Sequence, residues 1–286
     1  MAEVINGILI REVETKNIMT KSSLPVGGYS VNPYVGCTHA CKYCYASFMK
    51  RFTGHKEEWG TFLDVKHWPE IKNPKKYAGQ RVVIGSVTDG YNPQEEQFRN
   101  TRKLLEQLIG SDADILICTK SDLVVRDIDL LKKLGRVTVS WSINTLDENF
   151  KNDMDSASSI ERRIAAMKQV YEAGIRTVCF VSPIFPGITN FEAIFERVKW
   201  YKIRIFSGYI IHNCLFETAS KIEIFEPEQI ALILYLLKDC FKICDTGEYR
   251  GYETDCTDTC FIYLLHSRDT ALNARSRVHI VLEIFI

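Results

Sequence analysis

The sequence predicts an α/β fold with a parallel sheet, and two observations support this prediction. Short apolar segments typical of strands alternate with segments of helical periodicity between residues 29 and 200. Polar and cysteine residues directly follow the first three strand segments, where parallel sheets of βαβ units collect ligands. The predicted strands are 29–35, 81–87, 114–119, 137–143 and 176–182, and the predicted helices are 94–109, 127–134, 159–173 and 190–200.

The first half of this pattern consists of apolar runs that end in turn residues. A strand over 29–35 leads into a cysteine-containing loop, and the run 81–87 ends at the turn sequence Asp-Gly-Tyr-Asn-Pro over 89–93. A helix over 94–109 follows, and the apolar run 114–119 is the third strand. The helix is predicted from leucines at helical spacing, Leu104, Leu105 and Leu108.

The second half is marked by residues that begin and end helices. Asp127 is the expected N-cap of the helix after the third strand, and Gly135 is its expected C-terminal stop. Gly174 ends the next helix in the same way. A sixth strand has one weak candidate, 203–212.

The composition is that of an ordinary globular protein, with 46% hydrophobic and 25% charged residues in 286. This length suits one barrel-sized domain or two small ones. The formal net charge of +0 argues neither for nor against a nucleic acid partner. The sequence has no long apolar run and no secretory signal, which predicts no membrane partner. Ten cysteines in such a chain indicate metal ligation in a reducing cytoplasm.

Cys37, Cys41 and Cys44 form a CxxxCxxC array, and Tyr43 stands just before the last cysteine. Three thiolates held this close can ligate three irons of a 4Fe–4S cluster and leave the fourth iron open for a substrate or cofactor. The spacing differs from the paired CxxC ligands of structural zinc sites. The alternative interpretation is three buried or zinc-binding thiols.

The cysteine array resembles the signature of the radical S-adenosylmethionine (SAM) superfamily, in which an aromatic residue precedes the third cysteine. Residues 31–199 are similar to its spore photoproduct lyase-like branch, and more narrowly to radical SAM mobile pair type proteins. The resemblance implies an incomplete (β/α)6 TIM-like barrel that binds a 4Fe–4S cluster and SAM. The matching segments are 36–45, 59–60 with Lys66, 85–93, 119–121, 126–131, 140–143 and 183–189.

The implied activity is reductive cleavage of SAM to methionine and a 5′-deoxyadenosyl radical, which abstracts hydrogen from a substrate that the sequence does not identify. The resemblance assigns Cys37, Cys41 and Cys44 to the cluster. It implies a reductant such as flavodoxin or ferredoxin and a second, paired radical SAM protein as partners. A rival hypothesis is a non-catalytic iron–sulfur or zinc-binding partner protein with a broken barrel.

Lys120 is the expected cation beside SAM, since an ammonium pairs with the methionyl carboxylate or the ribose hydroxyls. A solvated surface lysine is the alternative. Ser140 and Ser142 point to one face of a strand, either towards the cofactor or towards the outer helices. One of Arg162 and Arg163 is a further candidate for the SAM carboxylate, although adjacent arginines on a helix more often face solvent.

Four residues near the first two strands complete the candidate site. The resemblance places Tyr43 beside the adenine and matches Tyr45 to a tyrosine that relays hydrogen in the lyase; packing is the alternative for Tyr45. Thr88 is expected to line SAM. Asp89 is expected to accept from the ribose hydroxyls or the SAM amine, or else to form the turn before Gly90.

One departure from the lyase pattern concerns the hydrogen donor. The lyase carries a cysteine near the end of its second strand, whereas this chain has Ser86 and Val87 there. Neither side chain has a weak S–H bond, so Tyr45 or Cys118 would have to supply the hydrogen. DNA photoproduct repair is therefore kept as an alternative rather than the first hypothesis.

The segment 42–81 carries nine Lys or Arg and four Asp or Glu, a balance of 9 − 4 = +5, with aromatic residues among them. Basic residues interleaved with aromatics suit a nucleic acid or an acidic peptide as substrate. A helix and loop that simply cover the barrel would have a similar composition.

The segment after residue 200 departs from the family pattern and divides the chain into a lead (1–28), a partial barrel (29–200) and an atypical Cys-rich segment (201–286). A helix over 228–244 is predicted to place two of the cysteines on one face. The two CxxxC pairs could bind a second cluster or zinc; a different hypothesis is that this segment is not the family's own ending. The cysteines are Cys214, Cys240, Cys244, Cys256 and Cys260.

Overall fold

A computed structural model describes residues 2–22, 28–185 and 187–199, together with the backbone of three later strands. The strands are β1 Ala2–Ile5, β2 Ile8–Glu14, β3 Thr20–Lys21, β4 Tyr29–Val31, β5 Tyr34–Val35, β6 Phe62–His67, β7 Arg81–Ile84, β8 Asp114–Thr119, β9 Arg136–Ser142, β10 Arg176–Ile184, β11 Arg204–Ile211, β12 Cys214–Ile222 and β13 Leu282–Ile284. The α-helices are α1 Glu95–Phe98, α2 Asn100–Leu108, α3 Ile128–Leu131, α4 Glu148–Met154, α5 Ile160–Glu172 and α6 Phe191–Val198. Three 3₁₀ segments lie at Tyr45–Phe52, Pro74–Tyr77 and Leu123–Asp127.

The larger sheet has six neighbouring parallel strands, in the order β4, β7, β8, β9, β10 and β11. The strands from β7 to β11 are joined by crossovers that contain helices, as expected for βαβ units. β3 and β12 flank this parallel set in antiparallel pairing, and β13 pairs with β12. The α/β prediction and the partial TIM-like barrel are confirmed. β11 also confirms the weak sixth-strand candidate over the residues that are described.

The strand predicted over 29–35 is wrong as a single element. β4 ends at Val31, and β5 pairs with β6 in a second sheet of order β1-β2-β6-β5. Pro33 lies between the two strands and has no N–H for a ladder, which favours a break there. The break turns the chain out of the larger sheet just before the cysteine loop.

Two other predicted boundaries shift because of backbone conformation. The strand predicted over 81–87 ends at Ile84, since Gly85 has a positive φ of 89° and a Cβ there would meet the Cys118 carbonyl oxygen at 2.6 Å. The helix predicted over 94–109 is two helices, because Arg99 between them is left-handed, with φ 53°. Leu104, Leu105 and Leu108 are nevertheless fully buried, as their spacing predicts.

One helix has a side-chain N-cap that was not predicted, and the N-cap predicted for another helix is wrong. Ser159 begins α5, and its side chain accepts from the backbone N–H of Arg162. Asp127 makes no capping hydrogen bond. Its carboxylate accepts from the guanidinium groups of Arg102 and Arg126, because charged donors compete better than a helix N–H for a buried carboxylate.

In the part of the chain that the structure describes, no helix combines the length and the apolar character needed to cross a membrane. The polar lead is not unstructured, since β2 runs parallel to β6 along six residue pairs. The predicted helix over 228–244 lies outside the described residues. So do four of the five late cysteines, and only the backbone of Cys214, at the start of β12, is described.

Candidate active site

The cysteine loop begins at Gly36, whose positive φ of 87° suits glycine. A Cβ at this position would lie 2.5 Å from the Phe62 carbonyl oxygen, so the loop packs closely against β6. Cys37 is buried, and Cys41 and Cys44 are half-buried. Two backbone turns, Ala40 N to Cys37 O at 3.2 Å and Cys44 N to Cys41 O at 3.1 Å, fold the loop back on itself.

Electrostatics couple the three thiols. Burial raises the pKa of Cys37 well above its ordinary value, and Asp89 and Cys41 raise it further. Burial also raises the pKa of Cys41 to about 11, although Lys120 opposes the shift. Three neighbouring thiols can lose their protons together only if a cation compensates, and a bound metal centre would supply it.

The donor set consists of three thiols of one loop, and their CxxxCxxC spacing differs from the paired CxxC ligands of structural zinc sites. The other described cysteines are Cys118 and Cys179, which lie on β8 and β10. Three thiols in one loop are the set that leaves one iron of a 4Fe–4S cluster open.

The loop between α4 and α5 holds the cysteine loop from one side. Ser156 N donates to His39 O at 2.8 Å, and Lys42 N donates to Met154 O at 2.9 Å. The Tyr43 hydroxyl donates to Asp155 Oδ2 at 3.1 Å. This clamp was not predicted, since it comes from a segment more than a hundred residues away that has no motif of its own.

Arg163 supports the clamp from the barrel wall. Its guanidinium is fully buried and donates to Asp155 Oδ1 at 2.9 Å, to Ser158 O at 2.8 Å and to Ser142 O at 3.1 Å. Solvent exposure was therefore the wrong expectation for Arg163. It is right for Arg162, which is exposed and pairs with Asp122 at 2.7 Å.

Asp89 holds the cysteine loop from the other side. Its carboxylate accepts from His39 Nε2 at 3.0 Å, from Thr119 Oγ1 at 2.9 Å and from the backbone N–H of Lys120 at 2.7 Å. Burial raises the pKa of Asp89, but His39 and the backbone donors outweigh that effect and hold it below its ordinary value. Asp89 therefore ties the loop to the ends of β7 and β8.

Thr88 has a similar position at the end of the second barrel strand. Its buried hydroxyl donates to the Gly36 carbonyl, directly before Cys37. Thr88 and Asp89 thus both contact the protein's own cysteine loop. Their contact with SAM stays a prediction.

Lys120 lies beside the cysteine loop and not on the open surface. Its Nζ is 5.5 Å from the centre of the Tyr43 ring. Burial lowers the pKa of Lys120, but Tyr43 and Cys41 outweigh this and raise it above its ordinary value. The ammonium is therefore held as a cation next to the cluster ligands, where an anionic group of a cofactor would find it.

Ser140 and Ser142 alternate with Val139 and Trp141 along β9. Val139 and Trp141 are fully buried in the large core that includes Met167 of α5. Because side chains alternate along a strand, the two serines lie on the face away from that helix. Their contact with SAM is also untested.

Tyr45 reaches the end of β7, where its hydroxyl donates to the Ser86 carbonyl. The Ser86 hydroxyl is hydrogen-bonded to Ser30 Oγ, and Asn32 Nδ2 donates to it at 3.1 Å. Asn32 Oδ1 also accepts from Val87 N at 3.1 Å. The position that carries cysteine in the lyase pattern is thus a hydrogen-bonded polar cluster, which the sequence did not reveal.

Comparison with known proteins bears directly on this site. Residues 31–198 match the model of the radical SAM superfamily. An uncharacterized protein of Methanocaldococcus jannaschii is 39% identical over 194 residues, which are 67% of this chain and 74% of the relative. A protein of Pseudomonas phage M6 named radical SAM Nα-GlyT isomerase is 26% identical over 61% of this chain and 36% of its own length.

Among solved structures, a mutant spore photoproduct lyase with bound AdoMet and dinucleoside spore photoproduct has a similar fold. The TM-score is 0.52 at 19% identity, and the match covers 68% of this chain and 56% of the lyase. The family match includes the cysteine loop and the strand ends that hold it. The chain belongs to the radical SAM superfamily, whose members use a 4Fe–4S cluster and SAM.

Proposed function

We propose that this chain cleaves SAM reductively at a 4Fe–4S cluster held by Cys37, Cys41 and Cys44, and that the product radical abstracts hydrogen from a substrate still to be identified. The observation that carries the proposal is one folded loop that brings the three thiols together, with the Lys120 ammonium beside it, 5.5 Å from the centre of the Tyr43 ring. When bound, the cluster and SAM supply one-electron cleavage of the sulfonium to methionine and a 5′-deoxyadenosyl radical.

The protein's own contribution is to hold these groups in place. The Lys120 ammonium pairs with the methionyl carboxylate or the ribose hydroxyls of SAM. Ser140 and Ser142, on the face of β9 away from the helix core, donate to cofactor oxygens. Tyr43, held by Asp155, provides an aromatic edge for the adenine.

Thr88 and Asp89 act mainly as positioning residues in this proposal. Both are buried, and their side chains hydrogen-bond to the cysteine loop and its neighbours. Each carboxylate oxygen has two acceptor positions, and all four positions of Asp89 are occupied by donors of the protein. A SAM donor would therefore have to displace one of them. Tyr45 passes hydrogen between the radical and the substrate.

The test is anaerobic reconstitution of the full chain with iron and sulfide, followed by addition of SAM and dithionite. Wild type is expected to form 5′-deoxyadenosine and methionine in equal amounts. Cys41→Ala should bind less iron and form no 5′-deoxyadenosine. Cys179→Ala is the matched control, since Cys179 is a buried thiol on β10 outside the loop, and it should keep its cluster.

A full cluster without any 5′-deoxyadenosine would favour the rival hypothesis of a non-catalytic iron–sulfur partner protein. Tightly bound zinc in place of iron would favour its zinc-binding form. Zinc is not expected, because the CxxxCxxC spacing differs from the paired CxxC ligands of structural zinc sites.

DNA photoproduct repair is the second candidate, and the fold likeness to spore photoproduct lyase is what favours it. Ser86 argues against it, since an O–H bond donates a hydrogen atom far less readily than the S–H of cysteine. Incubation of the reconstituted chain with dinucleoside spore photoproduct decides the matter. Release of thymidine by wild type would establish repair.

Three further expectations belong to this proposal. The reductant is a flavodoxin or a ferredoxin, the substrate is a nucleic acid or a peptide, and a paired radical SAM protein is a partner. A cytoplasmic location and the three-part division of the chain at residues 28 and 200 also stay predictions.

A further inference from the structure

The segment directly after the last cluster cysteine exposes aromatic side chains. The 3₁₀ segment Tyr45–Phe52 begins at the residue after Cys44, and Ser47 N donates to Cys44 O at 3.3 Å. Phe48 is 44% exposed and Phe52 is 67% exposed, although both are large and apolar. Contiguous exposed apolar side chains of this kind are typical of contact surfaces.

Basic side chains surround these rings. The Arg51 guanidinium carbon lies 5.6 Å from the centre of the Phe48 ring and 4.7 Å from that of Phe52. Lys50 Nζ donates to the backbone carbonyl of Lys56 at 3.1 Å, so the exposed Lys56 lies next to Lys50 in this segment. We call Phe48, Lys50, Arg51, Phe52 and Lys56 the basic-aromatic face.

The charge of this face is only partly balanced by its neighbours in the chain. Residues 42–56 contain four Lys or Arg and no Asp or Glu, and Glu57 and Glu58 follow directly. Within the described residues, Arg51 makes no ion pair with any carboxylate. An acidic surface on another molecule is therefore the natural complement.

The face is also close to the cluster ligands. A 3₁₀ helix rises about 2 Å per residue, so eight residues span roughly 16 Å at most from Cys44 to the far end. Tyr45 is anchored to the Ser86 carbonyl, so the segment is tied to the barrel at its start. A protein seated on the face would thus lie near the group that must be reduced.

We propose that the basic-aromatic face docks an acidic one-electron donor protein, a flavodoxin in the test below, and so reduces the cluster. This inference rests on the proposed function. The donor is oxidised by one electron and the cluster is reduced by the same electron, and no bond forms or breaks. Negative charge on the donor meets Lys50, Arg51 and Lys56, while Phe48 and Phe52 supply the apolar centre of the contact.

A nucleic acid is the other class of partner for such a face. The Arg51 guanidinium covers one side of each phenylalanine ring and so leaves less ring surface for base stacking. Arginine grouped with aromatic side chains is instead typical of the centres of protein–protein contacts.

The experiment uses the reconstituted full chain and reduced flavodoxin. The double variant Arg51→Glu with Lys56→Glu reverses two charges of the face. The control Lys132→Glu with Lys133→Glu reverses two exposed charges just before β9, at the end of the parallel strands opposite to the cysteine loop. Stopped-flow loss of the cluster's visible absorption measures reduction without any need for SAM. Titration calorimetry of the same mixtures measures binding.

We expect the face variant to lower the second-order rate constant for reduction by flavodoxin about tenfold or more at low ionic strength. Added salt should slow the wild type towards the variant. Reduction by dithionite should be equal in wild type, face variant and control, since a small reductant needs no docking surface.

Equal rates and affinities with flavodoxin for wild type and face variant would overturn the inference. So would a face variant that loses affinity for a single-stranded oligodeoxynucleotide but keeps its flavodoxin rate, which would make this a nucleic acid surface. Failure of the proposed function is a different result: dithionite reduces the cluster, but no 5′-deoxyadenosine forms when SAM is added.

Discussion

The cysteine loop and the segment that follows it are neighbours in the chain but are built in opposite ways. Between Gly36 and Cys44 the loop is held from both sides, by Asp89 at the strand ends and by Asp155 in the loop between α4 and α5. From Tyr45 onwards the chain exposes aromatic rings and basic groups. A metal centre needs side chains that are held in fixed positions, whereas a docking surface needs side chains that a partner can reach. The two segments differ in the way that these requirements predict.

Among these predictions, removal of the Asp155 carboxylate should have the largest effect on the cysteine loop between Gly36 and Cys44. Asp155→Ala leaves the fully buried Arg163 guanidinium without its charge partner and frees the Tyr43 hydroxyl. We expect a loss of about 3–5 kcal/mol in the free energy of unfolding, measured by urea denaturation of the apo-protein. Iron content after reconstitution should fall as well, because the cysteine loop loses its clamp.

Glu161→Ala is the matched control for this prediction. Glu161 of α5 also pairs with an arginine, Arg197, but both side chains of this pair are exposed. The expected loss is about 0–1 kcal/mol, as for other exposed ion pairs. Equal losses for the two variants would mean that the clamp adds nothing beyond an ordinary surface pair.

Lys120→Met tests whether the ammonium group beside the cysteine loop binds SAM. An ammonium bonded to a charged group contributes about 1.5–3 kcal/mol, so SAM should bind the variant roughly 10 to 100 times more weakly in equilibrium dialysis. Lys103→Met is the control, because Lys103 Nζ also lies over an aromatic ring, 4.8 Å from the centre of Trp68, but on α2. Unchanged SAM affinity in Lys120→Met would remove Lys120 from the site.

The pH dependence of the apo-protein should reveal the same clamp. Burial raises the pKa of Asp155, but Arg163 and Lys120 outweigh that and hold it below its ordinary value. A carboxyl group with a lowered folded pKa stabilises the protein above its unfolded pKa, and this contribution is lost as the pH falls through the folded pKa. Wild type should therefore lose more stability below about pH 4 than Asp155→Asn does.

The sequence predicted those parts of the site that local patterns specify. The spacing of Cys37, Cys41 and Cys44 and the alternation of Ser140 with Trp141 are visible in a few consecutive residues. The burial of Arg163 and the clamp by Asp155 were not predictable, since they depend on which distant segments the fold brings together. His39, which is inside the cysteine motif, carried a signal that was missed, namely a polar residue with an obligatory partner in a buried loop.

The incorrect prediction of one continuous strand over 29–35 has a different cause. Apolar residues continue on both sides of Pro33, so periodicity alone cannot show that the two halves pair with different sheets. Proline was the available signal, because it cannot donate to a central ladder. The same break directs the chain towards the cysteine loop, so a local exception to the strand pattern coincides with the site.

The smallest expected effect concerns the exposed region. Phe52→Ala removes a side chain that is 67% exposed, so the free energy of unfolding should change by no more than about 0.5 kcal/mol. Phe62→Ala, which empties a fully buried position on β6 next to the cysteine loop, should instead cost about 3–5 kcal/mol. Urea denaturation of both variants measures the contrast. A large loss of unfolding free energy in Phe52→Ala would mean that the ring packs against the protein itself and is not accessible to a partner. The cysteine loop and the segment after it would then no longer differ in this respect.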